Sequence, residues 1–121
     1  MFHRDLGVMD MDLYDYESVL GTNFSMSKGT RLEYGDSLMT HAMLFTGVDM
    51  ESDKPTKWRV ENSWGTKGGN KGYYLMTDKW FDEYNYEVVI DKKYLPKRIL
   101  ELFKKDPVSL KPWDPMGALA H

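Results

Sequence analysis

Residues 57–64, K-W-R-V-E-N-S-W, alternate between polar and apolar side chains. A period of two is typical of a β-strand, because successive side chains of a strand point to opposite faces of its sheet. One face is predicted to carry Trp58, Val60, Asn62 and Trp64, and the other Lys57, Arg59, Glu61 and Ser63. Asn62 is the polar exception on the apolar face. Since a buried amide without a partner costs on the order of 1–3 kcal/mol, we expect Asn62 to have a hydrogen-bond partner.

Further elements are predicted on both sides of this strand. Residues 38–48 are apolar at both parities, which is typical of a strand covered on both faces. Strands are also predicted over 73–77 and 86–90, and helical segments over 78–84 (with Asp78 as cap) and 96–105. Residues 1–20 are predicted to be a loop that leads to a short helix. The connections are predicted over 21–36, 49–56 and 65–72. Together these elements predict an α+β fold with a mostly antiparallel sheet, one C-terminal helix and an extended tail.

Composition argues against several classes of protein. A chain of 121 residues has room for one domain, and its formal net charge of −3 argues against a dedicated nucleic-acid surface. No apolar run approaches the roughly 20 residues that span a bilayer. The sequence contains no cysteine, and His3 and His121 lack metal-ligand spacing. We therefore expect a soluble, intracellular protein without a cofactor, a metal or a membrane partner.

His41 is a second polar residue in an apolar pattern. In the strand predicted over 38–48 it shares a face with Met43 and Phe45. His41 and Asn62, 21 residues apart, can bond to each other if their strands are neighbours. One interpretation is a structural hydrogen bond in a core. The other is a catalytic base held by an orienting amide, which in a thiol peptidase also requires a cysteine. The residues alone leave both interpretations open.

Several motifs carry a resemblance to a known family. V-E-N-S-W-G at 60–65, with H-A-M upstream at 41–43, resembles the C-terminal half of papain-like cysteine peptidases. The segments S-L-M-T-H-A-M, T-K-W-R-V-E-N-S-W-G, M-T-D-K-W-F-D-E-Y and W-D-P-M-G-A-L-A resemble the bleomycin hydrolase family in particular. This resemblance runs from about Leu13 to the last residue. It implies a papain-like fold, with residues 1–105 forming the C-terminal, antiparallel β half-barrel of the peptidase.

The resemblance implies roles for three residues. His41 would be the catalytic base, which holds a cysteine as thiolate and later protonates the leaving amine. Asn62 would fix the imidazole ring, and Trp64 would shield the contact between them from water. A thiol beside an imidazolium ion has a lowered pKa, which makes it reactive at neutral pH.

The resemblance also implies substrates and partners. The tail, residues 106–121, would enter the active-site cleft, and its terminal carboxylate would face the α-ammonium group of peptide substrates with a free N-terminus. If His121 is trimmed, Ala120 would carry that carboxylate. The family is cytosolic and assembles as hexamers, so a cytoplasmic location and a homo-oligomer are expected. Some relatives bind nucleic acid, but the net charge of −3 argues against such binding by this chain.

The absence of cysteine separates this chain from the family pattern. The nucleophile and the residue that stabilises the oxyanion would lie in an amino-terminal half that the chain lacks. We expect the chain alone to be catalytically inert, and to be a fragment, an isoform or a truncated gene product. The alternative function is an interaction module that binds full-length subunits or other partners through its exposed sheet.

Overall fold

The computed structural model describes residues 1–114, so predictions about the end of the tail, 115–121, lie outside the described residues. The strands are β1 (Phe2–His3), β2 (Val8–Met9), β3 (Leu44–Glu51), β4 (Lys54–Glu61) and β5 (Tyr73–Thr77). The α-helices are α1 (Tyr16–Leu20), α2 (Lys28–Glu33), α3 (Asp78–Tyr84) and α4 (Lys97–Leu100). Short 3-10 helices cover Gly65–Lys67, Lys92–Tyr94 and Glu101–Lys104.

The strands form one five-stranded sheet in the order β1-β2-β5-β4-β3. Neighbouring strands are antiparallel except β2 and β5, which are parallel. The α+β class and the mostly antiparallel sheet are therefore confirmed.

The alternation predicted for β4 is present in the structure. Val60 is fully buried and packs with Met9, Tyr74 and Met76, whereas Lys57, Arg59 and Glu61 are exposed. Trp58 is half-buried beside this cluster; its ring stacks on Phe81 at 4.8 Å and its indole nitrogen donates to the Asp78 carboxylate at 2.9 Å. The core thus lies between one face of the sheet and α3.

Two predicted strands have other bounds in the structure, and a third is absent. The strand predicted over 38–48 begins only at Leu44 and runs on to Glu51, because Ser52 and Asp53, both with positive φ, make a two-residue turn. β4 therefore starts at Lys54 and ends at Glu61, before Asn62. Residues 86–90, predicted as a strand, form neither strand nor helix.

The helices also differ in detail from the predictions. Residues 21–36 were expected to be a connection but contain α2. The cap of α3 is Thr77, whose hydroxyl accepts from the Trp80 amide, and not Asp78. The predicted helix over 96–105 divides into α4 and the 3-10 helix that follows it.

α2 is held by contacts with the C-terminal end of α3. Lys28 donates to the carbonyls of Asp82 and Asn85 at 2.7 and 2.6 Å, and Arg31 donates to the carbonyl and carboxylate of Glu83 at 2.9 and 2.6 Å. Burial by itself would lower the pKa of Arg31, but the hydrogen bond to Glu83, the charge of that carboxylate and interactions with Tyr84 and Tyr86 together raise that pKa. Cations at a helix C-terminus satisfy carbonyls that have no partner within the helix.

The β1–β2 turn packs against the glycine turn that precedes β5. Gly7 has a φ of +68°, and a Cβ at this position would lie 2.6 Å from the Cα of Gly69. The amide of Gly69 donates to the Arg4 carbonyl at 3.2 Å. This close approach of two backbones requires glycine.

We expect Gly7→Ala to destabilise the chain more than Gly21→Ala does. Gly21 has a similar φ, +64°, but has open space around it. Gly21→Ala should cost only the left-handed strain of about 1–2 kcal/mol. Gly7→Ala should add roughly 1–3 kcal/mol for the clash with Gly69. Urea unfolding followed by circular dichroism checks this, and equal losses for the two variants would contradict the packing of the turns.

Within residues 1–114, no helix is both long and apolar enough to cross a membrane.

Candidate active site

Asn62 follows the last residue of β4 and is anchored by its backbone. Its amide donates to the carbonyl of Gly72 at 3.0 Å, which ties it to the start of β5. The residue is 7 % exposed. Asn62 is therefore a buried amide held at a strand end, as the alternation of β4 indicated.

His41 lies in the segment between α2 and β3, not in the strand predicted for it. Leu44, the first residue of β3, pairs with Glu61, the last residue of β4. His41 and Asn62 consequently lie beyond the same end of this strand pair. The imidazole Nε2 is 2.9 Å from the Asn62 side-chain oxygen, so the structure brings the two predicted site residues into contact.

The contact defines which nitrogen of His41 carries the proton. An amide oxygen can only accept, so Nε2 is the donor. Nδ1 has no hydrogen bond within residues 1–114, and the His41 side chain is exposed. An imidazole bonded in this way has its other nitrogen free for a second group.

Trp64 lies beside the imidazole ring of His41. Its ring lies 4.9 Å from that of His41, with an angle of 31° between the ring planes. The indole also makes edge contacts with Phe2 at 6.2 Å and Tyr74 at 6.4 Å. Trp64 itself is 46 % exposed, so it is not part of the buried core.

Phe2 and Arg4, near the N-terminus of the chain, also contact the Trp64 indole. These contacts were not predicted. The Arg4 guanidinium carbon lies 5.4 Å from the centre of the Trp64 ring, a cation–π distance. Phe2 also contacts Tyr74, at 5.6 Å. In the sequence, the one indication of these contacts is that Tyr74 shares a strand face with Met76 in β5. Nothing local in the sequence connects Phe2 or Arg4 with Trp64.

Within residues 1–114, two of the cavities adjoin the strands. A shallow cavity of about 320 Å³ adjoins Asn62 and is lined by Ala42, Met43, Leu44, Glu61, Asn62 and Ser63. A larger one, about 770 Å³, lies along β4 and β5 near Arg59 and Leu75, and its lining includes neither His41 nor Asn62. The larger cavity is therefore separate from the histidine–asparagine contact.

Comparison with known proteins shows to which family the chain belongs. The sequence model of the Peptidase C1-like family matches residues 1–117. Bleomycin hydrolase of Homo sapiens is 54% identical over 124 residues, which cover 99% of this chain and 27% of that protein. Aminopeptidase C of Lactobacillus delbrueckii subsp. lactis is 48% identical, and the match covers 97% of this chain and 27% of that protein.

A solved structure shows the same fold. The crystal structure of PepW from Lactobacillus rhamnosis HN001 superposes on this chain with a TM-score of 0.88 at 52% identity. The match covers 97% of this chain and 27% of the PepW chain. The chain thus spans about a quarter of the length of the relatives it matches, and corresponds to a C-terminal part of them. By sequence match over nearly its whole length, the chain belongs to the Peptidase C1-like family.

Proposed function

We propose that this chain supplies the base and its orienting amide to a cysteine aminopeptidase whose thiol lies in a part of the polypeptide outside these residues. The observation that supports the proposal is the 2.9 Å hydrogen bond between His41 Nε2 and the Asn62 oxygen. Because that bond occupies Nε2, it leaves Nδ1 as the atom that can face a thiol. The match to the Peptidase C1-like family and to aminopeptidase C favours this interpretation over a purely structural hydrogen bond.

Each group has a definite part in the proposed reaction. His41 takes the thiol proton, and the resulting thiolate attacks the carbonyl carbon of the scissile peptide bond. The carbon–nitrogen bond breaks as His41 returns the proton to the leaving amine, and a thioester remains. Water then hydrolyses the thioester while His41 again acts as base. Asn62 holds the ring in one orientation through both steps, and Trp64 limits competition by water for the bond.

We also propose that the peptidase cleaves only peptides with a free N-terminus. It depends on the tail, 106–121, reaching the cleft with its carboxylate. Residues 106–111 form neither helix nor strand, and the end of the tail lies outside the described residues. An N-acetylated substrate should resist a polypeptide that cleaves its unblocked counterpart.

The proposal is tested by joining this chain to the part of PepW that lies outside the match. The joined polypeptide should release the first residue of an aminoacyl fluorogenic substrate, whereas this chain alone should not, because it contains no cysteine. A folded but inactive joined polypeptide would favour the alternative, an inert interaction module.

We expect Asn62→Ala in the joined polypeptide to lower kcat by about 10²-fold, since misplacing a catalytic group by about 1 Å has effects of this size. The neighbouring exposed residue provides the matched control, and Ser63→Ala should leave kcat nearly unchanged. Steady-state kinetics on the fluorogenic substrate make the measurement. A kcat for Asn62→Ala equal to that of the parent would show that the amide has only a structural role.

A further inference from the structure

The side chain of Arg4 packs on the indole that lies beside the His41 imidazole. Its guanidinium carbon is 5.4 Å from the centre of the Trp64 ring, and that ring is 4.9 Å from the ring of His41. A guanidinium at this distance is attracted by the electrons of an indole. The Trp64 indole therefore has two neighbours of interest, a cation and the proposed catalytic base.

The hydrogen bond to Asn62 does not by itself fix the direction of the imidazole. It restrains one atom of the His41 ring, Nε2, and within residues 1–114 Nδ1 has no hydrogen bond. The torsion that turns a histidine ring about its Cβ–Cγ bond is broad, so a ring restrained at one atom can still turn. In the part of the chain that the structure describes, the aromatic ring packed beside the imidazole is that of Trp64. The direction of Nδ1 thus depends on where the indole lies.

The indole is not locked by the core. Trp64 lies beyond the end of β4 and is 46 % exposed. Its contacts with Phe2 and Tyr74 are edge contacts, with ring centres 6.2 and 6.4 Å apart. Because a half-exposed ring has few atoms packed around it, the remaining contact, with Arg4, has a large share in its orientation.

Arg4 can hold the indole because its own backbone is held in place. The Arg4 carbonyl accepts from the Gly69 amide at 3.2 Å. On the same turn, the Gly7 amide donates to the His3 carbonyl at 2.9 Å, and the Gly7 carbonyl accepts from the Leu75 amide of β5 at 2.8 Å. The guanidinium is therefore carried on a turn that is attached to the sheet.

We propose that Arg4 is a positioning residue of the active site, whose guanidinium holds the Trp64 indole beside the His41 imidazole and so keeps Nδ1 in one direction. The inference deepens the proposed function, and rests on it for the role of His41 as base. The packing of the three side chains does not depend on that role. Because Arg4 acts through Trp64, its loss should slow the reaction and not abolish it.

Nuclear magnetic resonance of the His41 ring protons tests the packing in this chain, without any catalysis. Arg4→Met keeps an unbranched side chain but removes the charge. It should move the His41 resonances in the same direction as Trp64→Leu, which removes the indole and its ring current altogether. Arg4→Lys keeps a cation and should leave the resonances close to those of the parent. The Arg4 side chain is exposed, so both Arg4 variants should fold.

Steady-state kinetics of the joined polypeptide test the consequence for the reaction. Arg4→Met should lower kcat by about 2- to 5-fold with KM nearly unchanged, the rate equivalent of one exposed cation–π contact. Arg4→Lys should restore most of that rate. Lys92→Met is the matched control, because the Lys92 ammonium lies 5.0 Å from the Phe103 ring and forms a contact of the same kind at another aromatic residue. A merely structural role for Arg4 would lower the Tm and leave kcat of the folded polypeptide unchanged.

Two results would overturn the inference. His41 resonances of Arg4→Met that match those of the parent would show that the guanidinium does not hold the indole. A kcat for Arg4→Met equal to that for Lys92→Met would show that the contact has no effect on the reaction. Failure of the proposed function would look different, since the joined polypeptide would be inactive, or active without His41, while the resonances still responded to Arg4. That outcome would support the packing and remove its role in catalysis.

Discussion

His41→Ala is expected to reduce kcat of the joined polypeptide by on the order of 10⁶-fold, the loss seen when the triad histidine of a well-studied serine protease is removed. The effect should be large because His41 is the imidazole that the structure places against Asn62. Nε2 is already bound to Asn62, and Nδ1 is the atom left for the thiol. Active-site titration with a thiol-specific alkylating agent adds a second measurement, since loss of the base should also slow alkylation at neutral pH.

The matched control for His41→Ala is the same substitution at another histidine. His3 lies in β1, and its ring accepts a hydrogen bond from the nearby Leu6 amide. His3→Ala should therefore leave kcat and the rate of alkylation nearly unchanged. If His41→Ala kept the parent activity, the His41–Asn62 bond would be a structural contact, and the proposed peptidase role would be wrong.

Met76→Ala is expected to lower the free energy of unfolding of this chain by about 2–5 kcal/mol, the usual cost of deleting a buried methionine side chain. Met76 is 2 % exposed and packs with Val60, Met9 and Tyr74. A core this small has little stability to lose. The variant should therefore be largely unfolded at 25 °C, as followed by near-ultraviolet circular dichroism and urea titration.

Leu75→Ala is the matched control on the next residue of β5. Leu75 points to the opposite face of the sheet and is 40 % exposed, so its truncation leaves no cavity in the core. It should cost well under half of what Met76→Ala costs. Equal losses at the two positions would mean that the core does not lie on the face that carries Val60 and Met76.

Elements with strong local patterns could be predicted from the sequence. β5 has the predicted bounds, and α3 covers the predicted residues, since alternation and an apolar helix face are both local signals. Segment 38–48 shows the limit of such signals. A run that is apolar at both parities does not indicate where a strand begins, and residues 38–43 instead carry His41 to Asn62 before β3 starts.

Elements held by distant contacts could not be predicted. α2 contains Gly29 and follows a polar segment, so its local sequence favours a turn. It is stabilised by Lys28 and Arg31, which bind carbonyls 52 to 57 positions away. β1 and β2 have two residues each, too few for an alternation to be recognised. The closure of the half-barrel, the placement of the tail end, the hexameric assembly and the cytoplasmic location stay predictions.

The sequence by itself determined the family, the inner and outer faces of β4, the two polar residues that needed partners, and the absence of any thiol. Only the tertiary structure decided that these two residues meet, and that Phe2 and Arg4 pack on the indole of Trp64 beside them. The physical reason is that alternation depends on neighbouring residues. A hydrogen bond between His41 and Asn62 depends instead on strand register, and the Arg4–Trp64 contact depends on two backbones approaching at Gly7 and Gly69.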